Sequence, residues 1–167
     1  LYSSAASDVY KRQPEKIGGW AQLGDQTLTG RNTALHHFVN ASGIKYAALG
    51  TNRILYVYSG GAFYDITPLK STTTLTSAFT TTQSDATVTI TFSSDHNISK
   101  GDIILCDNFS TITDSDFAAS DFDDVVFQVA TVPTSSTITV EMGSNESGSG
   151  ASTSGGIRVK HYYSIGP

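Results

Sequence analysis

Between Thr87 and Phe92 the chain alternates strictly, Thr87-Val88-Thr89-Ile90-Thr91-Phe92. A period of two places Val88, Ile90 and Phe92 on one face of a strand and the threonines on the other. Apolar runs follow at residues 102–106, 125–132, 137–142 and 157–165. They are separated by turn chemistry at 95–101 and 133–136, by a long polar loop at 107–124, and by a glycine-rich run at 143–156. Strands at this spacing, with no helical period between them, predict a small antiparallel β-barrel or sandwich module of five to six strands over residues 71–165.

A second pattern occupies residues 44–68. Ile44-Lys45-Tyr46-Ala47-Ala48-Leu49 is followed by Gly50-Thr51-Asn52-Arg53, whose Gly and Asn tolerate positive φ. Ile54-Leu55-Tyr56-Val57-Tyr58 is a dense run of β-formers, Ser59-Gly60-Gly61-Ala62 a second turn, and Phe63-Tyr64-Asp65-Ile66 a third strand closed by Pro68. The prediction is an antiparallel β-meander, the unit from which propeller blades are built, and one that cannot bury a core alone. Upstream, Gly18, Gly19, Gly24 and Gly30 interrupt any helical period, and Trp20, Leu23 and Leu28 are the apolar anchors. Residues 33–39 fit a short helix or a strand equally. Residues 71–85, thick with Thr and Ser, read as a linker or an exposed edge. The expected organisation is all-β: an incomplete blade-like meander over 14–70, with the barrel module either inserted into it or joined to it.

Composition agrees. The 167 residues include 22 Ser, 22 Thr and 15 Gly, which disfavours long helices. Only 15% are charged, and the net charge is −5 with pI near 5.1, so the footprint of a nucleic-acid binder is absent. No run of 18 apolar residues is present, so no helical membrane span and no membrane partner is expected. The lone Cys106 forms no intrachain disulfide and reads as a buried thiol. The opening Leu1-Tyr2-Ser3-Ser4-Ala5-Ala6-Ser7-Asp8-Val9-Tyr10-Lys11-Arg12-Gln13 has neither the charged nor the apolar region of a signal peptide. It resembles a translated sequencing-adapter scar, so residues 1–13 are expected to be an unstructured artefact and the chain a fragment of a larger protein.

Two stretches resemble known families. Gly50-Thr51, Leu55-Tyr56-Val57-Tyr58 and Tyr64-Asp65-Ile66-Thr67-Pro68, with Gly19-Trp20, Gly30-Arg31 and Leu35-His36 upstream, resemble a segment in tail proteins of tailed bacteriophages, of the nozzle or tail-tube type of short-tailed phages. The strand Val88–Phe92 with His96, Ser99-Lys100-Gly101-Asp102 and Thr137-Ile138-Thr139-Val140 is similar to the first catalytic cysteine half-domain of ubiquitin-activating enzymes. That half-domain is a small β-barrel module which phage virion proteins often carry. It holds no catalytic cysteine, so no ubiquitin chemistry is implied. Where that family has a glycine after its histidine, this chain has Asn97.

The resemblance implies a non-enzymatic structural component of a virion tail. It would be assembled in the host bacterial cytoplasm as a homo-oligomeric ring with other tail subunits, and DNA would pass without specific binding. The alternative is a tail-associated glycan- or receptor-binding module. An attached depolymerase would need two carboxylates held about 5–10 Å apart in a cleft.

Candidate chemistry is sparse. Asp114, Asp116, Asp121, Asp123 and Asp124 give a carboxylate density suited to a calcium site, but the glycine and distal glutamate of a calcium loop are missing, so a solvated or partner-facing loop is favoured and no cofactor or metal is expected. Phe117 and Phe122 are expected to tuck this loop onto the module. His36 and His37 are neighbours and so point to opposite faces of a strand; His96 beside Asp95 lacks the rest of a catalytic triad. Tyr46, Tyr56, Tyr58, Phe63 and Tyr64 would serve assembly by packing between blades or subunits, or offer a stacking platform for sugars; alternation divides them between two faces.

Overall fold

The computed structural model describes residues 26–109, 112–113, 117–143, 151–152 and 155–165. The expected artefact at 1–13, the anchors Trp20 and Leu23, and Asp114 and Asp116 lie outside the described residues. Among those described, the regular elements are thirteen β-strands and one three-residue 3-10 turn, Ala119–Asp121, so the molecule is all-β, as the sequence predicts.

Strands β1 (Asn32–Val39), β2 (Lys45–Thr51), β3 (Leu55–Ser59) and β4 (Ala62–Asp65) form a four-stranded antiparallel meander in chain order. The ambiguous 33–39 segment is therefore a strand. Its local pattern mixes apolar and polar positions, and seven paired positions from Asn32↔Thr51 to Val39↔Lys45 decide the matter. Each hairpin has its own turn chemistry. Asn40 Oδ1 accepts the N–H groups of Ser42 and Ile44. Thr51 Oγ1 accepts those of Arg53 and Ile54. Gly60 and Gly61 both take positive φ, as a two-residue type I′ hairpin requires.

The chain then enters a second, curled sheet. Its strands are β5 (Leu69–Thr76), β6 (Phe79–Thr80), β7 (Thr87–Thr91), β8 (Ile103–Asp107), β9 (Ile112–Thr113), β10 (Val125–Thr134), β11 (Thr137–Glu141), β12 (Ala151–Ser152) and β13 (Gly155–Tyr162). Their order is β5-β13-β8-β10-β11-β7-β6-β12-β9. The curl comes from β10: residues 125–128 pair with β8, whereas residues 129–134 pair with β11 through two register shifts. Bulges of this kind bend a strand and increase its twist. The result is a half-barrel.

Of the two readings of the Ser/Thr-rich segment, the structure selects the exposed edge over the linker: β5 is an edge strand paired with β13, and beside it Leu75, Ala78 and Phe79 are buried. Threonine is a good strand former, and Leu75 is the residue of β5 that reaches the core. Likewise β9 lies within the expected 107–124 loop, and β12 within the expected glycine-rich run.

The half-barrel encloses the main core. Val88, Ile90, Ile138 and Val140 come from neighbouring strands; Ile104, Cys106, Ile157 and Val159 face them. Phe79, Phe109, Phe117, Phe122 and Phe127 close the open side, with Phe122 fully buried and within 6.0 Å of the other four ring centroids. Each such side chain contributes about 1.5–3 kcal/mol of burial free energy. Phe117 and Phe122 do tuck the acidic loop onto the module. In the turn before β8, Asn97 stands at φ +53°, the left-handed region in which Asn is the best substitute for glycine.

A second, smaller core joins the two sheets. Ile54, Ile103 and Tyr162 are buried together, with Tyr56, Leu105 and Val126 packed around them. The apolar run 103–106 reflects this, because β8 is covered on both faces. Tyr162 Oη donates to Asp65 Oδ2 at 2.7 Å, and the Tyr163 N–H to the Pro68 carbonyl.

Candidate functional site

Register places the aromatic residues of the meander. Tyr58 pairs with Phe63 and Tyr56 with Asp65, so Tyr56, Tyr58 and Phe63 share the face that also carries Ile54. Val57 pairs with Tyr64 and Ala48 with Val57, which puts Tyr46 and Tyr64 on the opposite face. Tyr58 and Phe63 touch, with ring centroids 4.9 Å apart. Tyr46 stacks on Phe38 at 5.2 Å, and Phe38 in turn on His36 at 6.3 Å. The five residues therefore make two aromatic patches.

The patch of Tyr56, Tyr58 and Phe63 is half-buried, with Tyr56 packed against the Ile54 core, whereas the patch that carries Phe38 and Tyr64 is open. All eight residues of β1 are exposed, including Leu35 (55%), Phe38 (41%) and Val39 (60%); Tyr64 on β4 is 55% exposed. Sequence reasoning missed β1 as part of this surface, because its apolar residues Ala34, Leu35, Phe38 and Val39 do not alternate with a period of two and recur at a spacing of four that a helix would also satisfy. The segment before it is tied down: Gln26 Oε1 accepts the Phe63 N–H at 2.7 Å, and the Thr29 N–H donates to Tyr56 Oη at 3.2 Å.

In the module, the described carboxylates of the acidic loop have local work. Asp121 Oδ2 accepts the Ala118 N–H at 2.8 Å and Asp123 Oδ1 the Phe109 N–H at 2.9 Å. Asp124 takes φ +57° in the turn entering β10. Among the described residues no group of three His, Cys, Asp or Glu side chains is placed to hold a metal ion. A hollow of about 450 Å³ is lined by both Asp121 and Glu141, and Glu141 Oε1 accepts the Thr87 hydroxyl at 3.2 Å.

His96 and His161 are held by hydrogen bonds. His96 Nδ1 accepts the Ile98 N–H at 2.9 Å, which leaves Nε2 as the protonated nitrogen, 3.3 Å from the Thr134 carbonyl. Those bonds occupy both ring nitrogens, and Asp95 is not one of the partners. His161, 2% exposed, bonds Asp102 Oδ2 at 2.8 Å. His36 and His37 pair with Ala48 and Ala47 and so lie on opposite faces. The Cys106 thiol is fully buried, and burial followed by the neighbouring Asp107 charge pushes its pKa up, away from the reactive thiolate.

Two charged features brace β13. Asp107, 4% exposed, meets Arg158 Nε and Lys160 Nζ, each at 2.6 Å. Burial works to raise its pKa, but the hydrogen bonds and charges of Lys160 and Arg158 outweigh it and hold the carboxyl below the usual carboxylate range. Burial, then the hydrogen bond and charge of Asp65, push the Tyr162 phenol well above its ordinary value. No helix among the described residues is long and apolar enough to cross a membrane.

No family model matches the chain, and no curated protein matches it. Among solved structures it is similar to the Phage phi92 endosialidase, with a TM-score of 0.48 at 16% sequence identity. The superposition covers 80% of this chain and 19% of that one, so the chain spans about a fifth of that protein's length.

Proposed function

We propose that the chain is a non-enzymatic structural component of a bacteriophage virion tail and works through subunit assembly. The observation that carries the reading is the four-stranded sheet: apolar and aromatic side chains stand exposed on both its faces, including Leu35, Phe38, Val39 and Tyr64. An isolated sheet of this kind is completed by another layer. The faces hold few charges, so copies of the chain can meet there without charge complementarity, as in a homo-oligomeric ring. The resemblance of residues 14–70 to tail proteins of short-tailed phages supports the same reading.

In such a ring, assembled in the host bacterial cytoplasm with other tail subunits, an acidic surface would let DNA pass without binding. Division of the aromatic residues between two faces disfavours the alternative of one glycan-stacking platform, since Tyr56 and Tyr58 cannot join Tyr64. The test is peptide mass spectrometry on density-purified virus particles. The tryptic peptide running from Ile54 to Lys70 is expected at levels near those of known tail proteins; recovery only from the cellular fraction would overturn the assignment.

A further inference from the structure

Between the turn that joins β2 to β3 and the outer face of β10 lies a cleft of about 540 Å³. Arg53 enters it from that turn, Lys100 from the turn before β8, and Glu141 from the end of β11. Phe127 and Val129 point into the core, so Val126, Gln128 and Ala130 are the outward positions of β10 that floor it. Two sheets thus contribute one charged residue or more each to a single concavity.

The polar groups of this cleft are largely unspent. Among the described residues, neither Arg53 nor Lys100 takes part in an ion pair. Gln128 Nε2 donates to the Gly101 carbonyl at 3.2 Å, which fixes the amide and leaves its Oε1 available as an acceptor. Glu141 engages the Thr87 hydroxyl through Oε1, leaving Oε2 to accept from a ligand. The volume falls within the range of small-ligand sites, roughly 300–1,000 Å³.

We infer that this cleft binds the carboxylate-bearing sugar of an acidic polysaccharide. A guanidinium and an ammonium converge on a carboxylate, and Arg can hold it bidentately. The apolar floor of Val126 and Ala130 suits a sugar ring, while Gln128 and Glu141 suit its hydroxyl groups. The inference does not depend on the assembly reading, which rests on the other sheet faces.

Isothermal titration calorimetry on the full chain tests it, with tetragalacturonate as the probe, maltotetraose as its neutral counterpart and inorganic phosphate as the bare anion. Tetragalacturonate is expected to bind saturably, and more weakly as salt is raised. Arg53→Gln and Lys100→Gln should each weaken it by about tenfold or more, whereas Glu141→Gln, which keeps an acceptor oxygen and removes a like charge, should not weaken it. Lys45→Gln, on the meander, should leave it unchanged, and circular dichroism of each variant checks that the fold is intact. The inference is overturned if maltotetraose binds as well as tetragalacturonate, if phosphate displaces the probe at equal concentration, or if both cation variants bind as tightly as the parent.

Discussion

Strands β7 and β1 are both short, neutral and rich in β-forming residues, yet they end in opposite surroundings. In β7, Val88 and Ile90 are fully buried beneath the phenylalanines of the curled module. In β1, Leu35, Phe38 and Val39 face solvent. The difference is closure. Because β10 bends and pairs with two neighbours, the module folds its own apolar face inward. In the meander β2 and β3 also pair on both sides but without such a bend, and among the described residues the buried cluster it joins is the one at Ile54. Among the described residues one region buries its apolar face, and the other leaves apolar side chains exposed.

The sharpest way to break that contrast is inside the module. Phe122→Ala removes the ring that the other four phenylalanines pack around and should cost about 3–5 kcal/mol, read as a large fall in the urea midpoint. Asp107→Ala comes next. It removes the charge-assisted hydrogen bonds to the partly exposed Lys160 and Arg158 and should cost about 1.5–3 kcal/mol. This contribution has a pH signature. The folded carboxyl titrates below the unfolded value of about 3.9, so its stabilisation is complete above that value and is lost as pH falls through the folded one. The parent should therefore lose more stability than Asp107→Asn on acidification below about pH 4.

The two regions were also unequally legible in the sequence. The alternation of Val88, Ile90 and Phe92 and the doubly buried run at 103–106 are local signals, and both strands follow from them. Phe79 and Phe109 were hidden, the first in a Ser/Thr-rich stretch and the second in a polar loop. Their burial depends on partners far along the chain: Phe79 on Ile90 across the β6–β7 pair, and both on Phe122. The meander's hairpins could be read from Gly and Asn at the turns, but β1 could not, since only pairing with β2 selects strand over helix. The cleft at Arg53 and Lys100 was invisible for the same reason. Residues 47 positions apart share no local pattern, and the contact between two sheets brings them together.

The joint between the regions supplies a middle-sized effect. Tyr162→Phe removes the hydrogen bond to Asp65 and should cost about 1.5 kcal/mol. Hydrogen exchange should show the loss first in the meander amides, which the joint anchors. The raised phenol pKa has the opposite pH sense to Asp107. Its stabilisation holds below the unfolded value of about 10 and is lost as pH rises above it, because the unfolded chain ionises first. Absorbance titration should accordingly find one tyrosine that resists ionisation until the protein unfolds. Gly30→Ala acts within the meander alone. At φ +91° a Cβ there would come within 2.7 Å of Asn52 Oδ1 and 3.0 Å of Thr51 Oγ1, so a loss of about 1–2 kcal/mol is expected.

The smallest effect on stability is the most telling for the comparison. Phe38→Ser and Tyr64→Ser change residues with 41% and 55% exposure, and surface substitutions of this kind stay within about 0.5 kcal/mol for the isolated chain. If the open sheet is an assembly face, the same changes should abolish concentration-dependent association, measured by light scattering behind size-exclusion chromatography. The module variants give the complementary result, with lower stability and association unchanged in whatever fraction remains folded. Loss of association without loss of stability separates an interface from a core. Were Phe38→Ser instead to lower the urea midpoint as Phe122→Ala does, the meander would have to be completed within the chain, and the proposal that neighbouring copies cover it would fall.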